Sequence, residues 1–174
     1  MNSPVSVGIL SDSHGYLDPG VRDAVNQCDY IIHAGDIFNA AVLAQLQPKQ
    51  QLIAVAGNND YPANWAAEEK DVVAALPQSA RLDLPGGCLI VEHGHRLGNK
   101  PDHAQLRWDH AEARIIVYGH THHRVIDKSD DPWVINPGAS GKVRNHGGPS
   151  CLILLADEQD WSIEEKVFPE SQAA

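Results

Sequence analysis

Apolar residues along this chain gather into short runs, and each run is closed by a small or polar residue. VSVGIL (residues 5–10) is β-rich and leads into SDSHG, after which Asp18 and Pro19 supply an N-cap and a first-turn residue for a helix to about Gln27. YIIHAG (30–35) predicts a second buried strand, Asn39 caps a short helix over AAVLAQLQ, and QLIAVAG (51–57) predicts a third strand that stops at NND. Strands alternating with helices predict a parallel sheet with helices on its face.

The second half has a different rhythm. ARLDLPGGCLIVEHG predicts a hairpin around Pro85, Gly86 and Gly87, and PDHAQLRWDHAEA a helix with Pro101 near its first turn. RIIVYG is a further strand; RVIDKSDDPWVINPG and SCLILLADEQDWSIEEKVF predict two more hairpins. Hairpins bring antiparallel pairing, so the expected fold is an α/β, four-layer α/β/β/α sandwich, with two mostly mixed sheets face to face and helices outside. AAEEKD (66–71) is expected to be a solvated helical or loop face.

Composition narrows the classes. With 174 residues, 43% hydrophobic and 21% charged, and no repeat or composition break, residues 1–174 are expected to form a single domain, with disorder confined to the last few residues. The net charge of −10 and the lack of a Lys/Arg run disfavour stable nucleic-acid binding. No segment approaches the roughly 18 apolar residues of a membrane span, and the start has no basic leader, so a cytoplasmic protein is expected. Cys28, Cys88 and Cys151 lie in or beside apolar runs and are expected to be buried thiols.

The chemistry collects at the ends of the apolar runs. Asp12 and His14 follow the first, Asp36 the second, Asn58, Asn59 and Asp60 the third; His93 and His95 close the hairpin strand, and His120 and His122 follow RIIVYG. Ligands of open α/β sheets bind beyond the carboxyl ends of strands, so the first three loops at least should converge. Two aspartates, an Asn carbonyl and four histidines make an O/N donor set without sulfur, suited to Mn²⁺, Fe²⁺ or Zn²⁺ and too large for one ion. Two ions then need a bridging carboxylate, and Asp36, preceded by Gly35, is the best placed. Two divalent ions would bring about +4 against −2 from Asp12 and Asp36 and −1 from a hydroxide, leaving a positive centre able to hold a phosphoryl group in an acidic protein.

Taken in order, DSH, GD, GNND, HGH and GHTH resemble the blocks of calcineurin-like metallophosphoesterases, most of all their small single-domain bacterial and archaeal phosphodiesterase branch. The blocks span residues 12–122, and INPGAS with Arg144 looks like a further segment of that branch. The resemblance implies that one ion takes Asp12, His14 and His122, the other Asn58, His93 and His120, with Asp36 between them. Positions 120 and 122 would share a face on an extended strand, so the loop must bend, which Gly119 permits. The implied activity is a dinuclear metal-dependent phosphodiesterase in which a metal-bridging hydroxide attacks phosphorus; Mn²⁺ is the first choice of metal, with Fe²⁺, Zn²⁺ or Ni²⁺ also fitting. The expected partner is a small phosphodiester, with no membrane; a homo-oligomer is allowed.

One departure matters. Many relatives carry His after the Asn of the third block, and here that position is Asn59, which cannot deliver a proton to a leaving group. His95 is the nearest replacement by sequence. Asn59, His95 and Arg144 are the candidates for touching substrate, and a phosphomonoesterase with the same metals and a non-catalytic scaffold are the competing readings. His33 is expected to be a satisfied core histidine rather than a partner of Asp36, and His123 to face solvent. Asp60 either orients a ligand or finishes a turn.

Overall fold

A computed structural model describes residues 3–170; the expectation of disorder at the end of the chain falls mainly outside them. The first sheet contains β1 (Val5–Leu10), β2 (Tyr30–His33), β3 (Gln51–Ala54), β9 (Ser150–Ala156) and β10 (Trp161–Val167), in the order β10-β9-β1-β2-β3. β1, β2 and β3 run parallel, while β9 and β10 are antiparallel additions on the β1 side. The second sheet contains β4 (Ser79–Leu84), β5 (Gly87–Glu92), β6 (Ile115–Val117), β7 (Arg124–Asp127) and β8 (Trp133–Pro137), in the order β4-β5-β6-β8-β7. All three expected hairpins form (β4–β5, β7–β8 and β9–β10). The parallel pairing of β6 with both β5 and β8 makes the second sheet mixed.

Three apolar clusters define the four layers. Inward residues of both sheets, among them Ile9, Ile32, Val55, Leu89, Val91, Ile115, Val117, Ile135 and Leu152, form the core between the sheets. On the outer face of the first sheet, α1 (Pro19–Val25), α2 (Ala40–Ala44) and α3 (Lys70–Ala74) bury Val21, Val25, Val42 and Val73 against Leu10 and Ile31. On the outer face of the second, α4 (His103–Asp109) buries Leu106 against Cys88, Ile90, Ile116 and Val134. The three cysteines are free and buried, as expected. No helix of the described residues is long and apolar enough to cross a membrane.

Helices and strands are shorter than the apolar pattern suggests, for local reasons. Asp18, Asn39 and Asp102 cap α1, α2 and α4 through side-chain oxygens that accept from Val21, Val42 and Ala104 N–H. α1 stops at Val25, and the Asn26 side chain at its end donates to Gln45 O and accepts from Gln47 N–H. α4 stops at Asp109, where His110 leaves helical geometry and bonds Glu92 Oε2 at 2.7 Å. β3 ends at Ala54, since Ala56 N–H turns to Pro77 O. Residues 61–78 contain two short 3₁₀ turns and α3, and within them residues 66–71 are mostly exposed.

Candidate metal centre

The loops that follow β1, β2, β3, β5 and β6 meet at one edge of the sandwich, laced by backbone bonds. Asp12 N–H donates to Gly35 O (2.9 Å), His14 N–H to Asp36 O (3.0 Å), and Gly119 N–H to His93 O (3.0 Å). His120 N–H donates to Asp12 Oδ2 (3.0 Å), which ties the fifth loop to the first. All seven residues expected to hold metal are thereby brought together.

Their donor atoms face a common space. Asp36 Oδ2 lies 3.4 Å from His14 Nε2 and 3.5 Å from His93 Nε2, so one carboxylate oxygen stands midway between histidines of the two implied ligand groups. Asp12 Oδ1 is 3.5 Å from His122 Nε2 and 3.9 Å from both His14 and His93 Nε2. Asn58 Oδ1 is 3.1 Å from His93 Nε2 and 3.1 Å from His120 Nδ1. Two sets have donor atoms all within 4.8 Å of one another: Asp12, His14 and His122, and Asp12, Asp36 and His93.

The backbone is strained where these side chains leave it. Asp12, His14, Asp36, His120 and His122 all have left-handed φ, between 46° and 66°. Such conformations cost non-glycine residues on the order of 1–3 kcal/mol each and persist only where surrounding structure holds them. This corrects the expected role of Gly119: the bend that separates His120 from His122 is made by the two histidines themselves. Gly119 is required for a different reason, since a Cβ there would overlap Ser11 Oγ and come within 2.8 Å of Asp12 Oδ2. Gly35 does take a positive φ, 101°, and turns the chain into Asp36 as expected.

Several residues outside the seven candidate ligands set this geometry. Asp60 is a buried hub whose carboxylate accepts from Ile37 N (3.0 Å), Phe38 N (3.0 Å), Gly57 N (2.8 Å) and Trp65 Nε1 (3.1 Å), fastening the Asp36 loop to the Asn58 loop. Asn136 Nδ2 donates to Gly119 O (2.8 Å) and Thr121 Oγ1 (3.2 Å), bracing the GHTH loop from β8. Asn59 donates from its backbone N–H and its amide to the two oxygens of Asp36, at 3.0 and 2.9 Å. His33 is buried and satisfied, with Nε2 on Ser13 Oγ (2.9 Å) and Nδ1 accepting from Gly35 N–H (3.2 Å). Burial pushes its pKa down to about 3, so it is neutral.

Protonation follows burial and partners. Carbonyl oxygens can only accept, so Ala34 O at 2.7 Å from His93 Nδ1 and Val143 O at 2.7 Å from His122 Nδ1 put the protons on those nitrogens and aim both Nε2 atoms at the carboxylates. Burial pushes the Asp12 carboxyl up to about 6, against the pull of His93. Burial acts in the same sense on Asp36, but His14, His93 and the Asn59 N–H outweigh it and hold the carboxyl far below the usual carboxylate range. His93 is driven down by burial and up, by more, through Asp36 and Asp12. Burial lowers His120, and takes His122 to about 4, leaving both as neutral lone-pair donors.

The expected substrate contacts separate in space. A cavity of about 710 Å³ opens directly from Asp36, Asn58 and His120 and is lined also by Asn59 and Arg144. Arg144 Nη2 reaches within 3.5 Å of His122 Nε2. His95 stacks obliquely near His93, at 5.4 Å between ring centres, but lines a smaller cavity of about 290 Å³ with Glu92, Arg96 and His110. His123 is exposed, as expected, and stacks on His146 at 3.8 Å. His103, which carried no sequence signal, stands in the wall of the larger cavity, bonded to Asp127 Oδ2 (2.6 Å) and Tyr118 OH (2.9 Å).

Two atoms test whether a metal belongs here. Asp12 Oδ1 and His14 Nε2 are buried without a hydrogen-bond partner, a condition that costs on the order of 1–3 kcal/mol for each neutral polar group and more for a charged one. Both face the same gap as His122 Nε2, and a divalent cation would satisfy all three; the residues fit such an ion.

Known proteins resemble this chain in sequence and in fold. A probable metallophosphoesterase of Methanocaldococcus jannaschii is 30% identical over 170 residues, covering 94% of this chain and 80% of its own. A phosphodiesterase of the same organism is 28% identical, covering 90% of this chain and 96% of its own. The fold also matches that of Vps29 from Entamoeba histolytica, solved as a complex with Zn²⁺, at a TM-score of 0.75 and 16% identity, over 97% of this chain and 95% of that one. Residues 5–159 match the calcineurin-like phosphoesterase superfamily domain, and the chain belongs to that superfamily.

Proposed function

We propose that this protein is a phosphodiesterase that works with two divalent transition-metal ions. The observation that carries the reading is the convergence of seven O and N donors, with Asp36 Oδ2 between His14 and His93 Nε2 and with Asp12 Oδ1 and His14 Nε2 buried and unsatisfied. Asp12, His14 and His122 would hold one ion and Asn58, His93 and His120 the other, with Asp36 shared. When bound, such a pair supplies an activated water near neutral pH and neutralises charge on a phosphoryl group.

The chain's own residues then divide the work. Asn59 fixes both oxygens of Asp36, and Asp60 holds the loops that carry Asp36 and Asn58 in register. Arg144 stands beside His122 at the mouth of the large cavity, where its planar fork would steady a phosphoryl oxygen. Diesters are the favoured class because a similar chain is named a phosphodiesterase; Asn59, turned onto Asp36, offers no acid, so the leaving oxygen is protonated through solvent. In the test, protein loaded with Mn²⁺ is assayed on bis(p-nitrophenyl) phosphate and on p-nitrophenyl phosphate. The expected result is faster hydrolysis of the diester; metal-loaded protein inactive on the diester would refute the reading.

A further inference from the structure

The cavity beside the metal ligands is far larger than a phosphoryl group needs, and its volume of about 710 Å³ lies within the usual range for whole small-molecule sites. Its charge is opposite to that of the protein. Among its lining residues the one carboxylate is Asp36, which belongs to the metal centre, whereas Lys100 and Arg144 are both cationic and form no ion pair among the described residues. Elsewhere the cations are largely engaged: Arg22, Arg81, Arg96, Arg107, Arg124 and Lys166 pair with carboxylates, and Lys128 and Lys142 lie over aromatic rings. In a chain of net charge −10, two uncommitted cations on one concave surface focus a local positive field.

The two cations occupy different walls. Arg144 is at the metal end, beside His122. Lys100 belongs to the connection between β5 and α4, in a segment that is anchored at its far end. Pro101 is buried, and His103 is clamped by Asp127 Oδ2 (2.6 Å), which Arg107 Nη2 also holds (3.0 Å). His103 in turn meets the Tyr118 hydroxyl, and Asn99, Lys100, His103, Tyr118 and Thr121 all form part of the cavity wall. Pro101, Val125 and Tyr118 are the apolar residues of the lining, set among polar and charged ones.

Building on the phosphodiesterase reading, we propose that this wall is a leaving-group subsite in which Lys100 holds a second phosphate, so that the substrate is a small diester whose alcohol side is itself phosphorylated. A 5′-phosphorylated dinucleotide has this chemistry. Water adds to the bridging phosphorus, the P–O3′ bond breaks, and the proton that water loses reaches the 3′-oxygen through solvent in the cavity; the products are two nucleoside 5′-monophosphates. Arg144 and the metal centre would act on the bridging phosphate, and Lys100 on the terminal one.

The experiment compares kcat/KM for a 5′-phosphorylated dinucleotide with that for the same dinucleotide lacking the terminal phosphate, using full-length Mn²⁺-loaded protein. The phosphorylated form should be preferred by about tenfold or more, the scale of a charge-assisted contact. Lys100→Gln should collapse that ratio, Lys100→Arg should restore it, and Lys70→Gln, on the far side of the first sheet, should leave it alone. Equal rates on the two dinucleotides, or a preference that survives Lys100→Gln, would overturn the subsite while leaving phosphodiesterase action standing if bis(p-nitrophenyl) phosphate is still hydrolysed. No hydrolysis of any of the three would overturn both.

Discussion

Asp60→Asn isolates the part of the site that binds no ligand. The carboxylate accepts from three backbone N–H groups and an indole, with Oδ2 serving Gly57 N at 2.8 Å and Oδ1 serving Phe38 N and Trp65 Nε1. Asn preserves shape, but one oxygen becomes an NH₂, so at least one buried donor is left facing another donor whichever way the amide turns. An unsatisfied buried donor costs about 1–3 kcal/mol, and hydrogen bonds to a charged acceptor are worth about 1.5–3 kcal/mol, so a net loss of about 2–4 kcal/mol is expected. For a chain of this size that corresponds to a fall in Tm on the order of 5–15 °C. The same change frees the Asp36 loop from the Asn58 loop, so the metal group containing Asn58, His93 and His120 should weaken more than the group containing Asp12, His14 and His122. Scanning calorimetry of metal-free protein reads the first effect and a two-site metal titration the second. A variant with parental Tm and parental binding at both sites would refute the assignment of Asp60 as the clamp.

Three further outcomes follow. Gly119→Ala places a methyl group onto Ser11 Oγ and against Asp12 Oδ2, and should reduce metal-dependent hydrolysis at least about tenfold, read against the far-ultraviolet circular dichroism of the folded protein. Asn59→His restores an acid beside the site and should raise the ratio of monoester to diester hydrolysis; an unchanged ratio would show that the leaving-group proton is not what limits monoesters. Metal affinity should fall with pH, because in the metal-free protein Asp12 titrates at about 6 and His93 has a raised pKa, so protons compete with the cation below those values and are released when it binds. Calorimetry in buffers of different ionisation enthalpy should detect that release near pH 6, and affinity independent of pH across this range would contradict it.

The candidate ligands were legible in the sequence because they stand just beyond apolar runs, and runs of strand length deliver their ends to a common edge. The layer order was legible for the same reason, since alternating strands and helices followed by hairpins admit few packings. The supports were not. Asp60 closes on Ile37 and Phe38, more than twenty residues back, and Asn136 closes on Gly119 and Thr121 from another strand; nothing local to either residue distinguishes a clamp from a turn former. His103 carries no sequence signal because its partners, Asp127 and Tyr118, become neighbours only once α4 packs on the second sheet. The left-handed backbone at five candidate ligands was hidden as well, because aspartate and histidine carry no local mark of it as glycine does.

The most direct measurement is a titration of Mn²⁺ into metal-free protein while bis(p-nitrophenyl) phosphate hydrolysis is followed, in the parent chain and in Asp36→Asn. A centre with one carboxylate shared between two ions predicts activity that climbs to a plateau at about two equivalents, and a variant that fails to reach it because the shared oxygen is gone. Activity that saturates at one equivalent, or that survives unchanged in Asp36→Asn, would contradict the account.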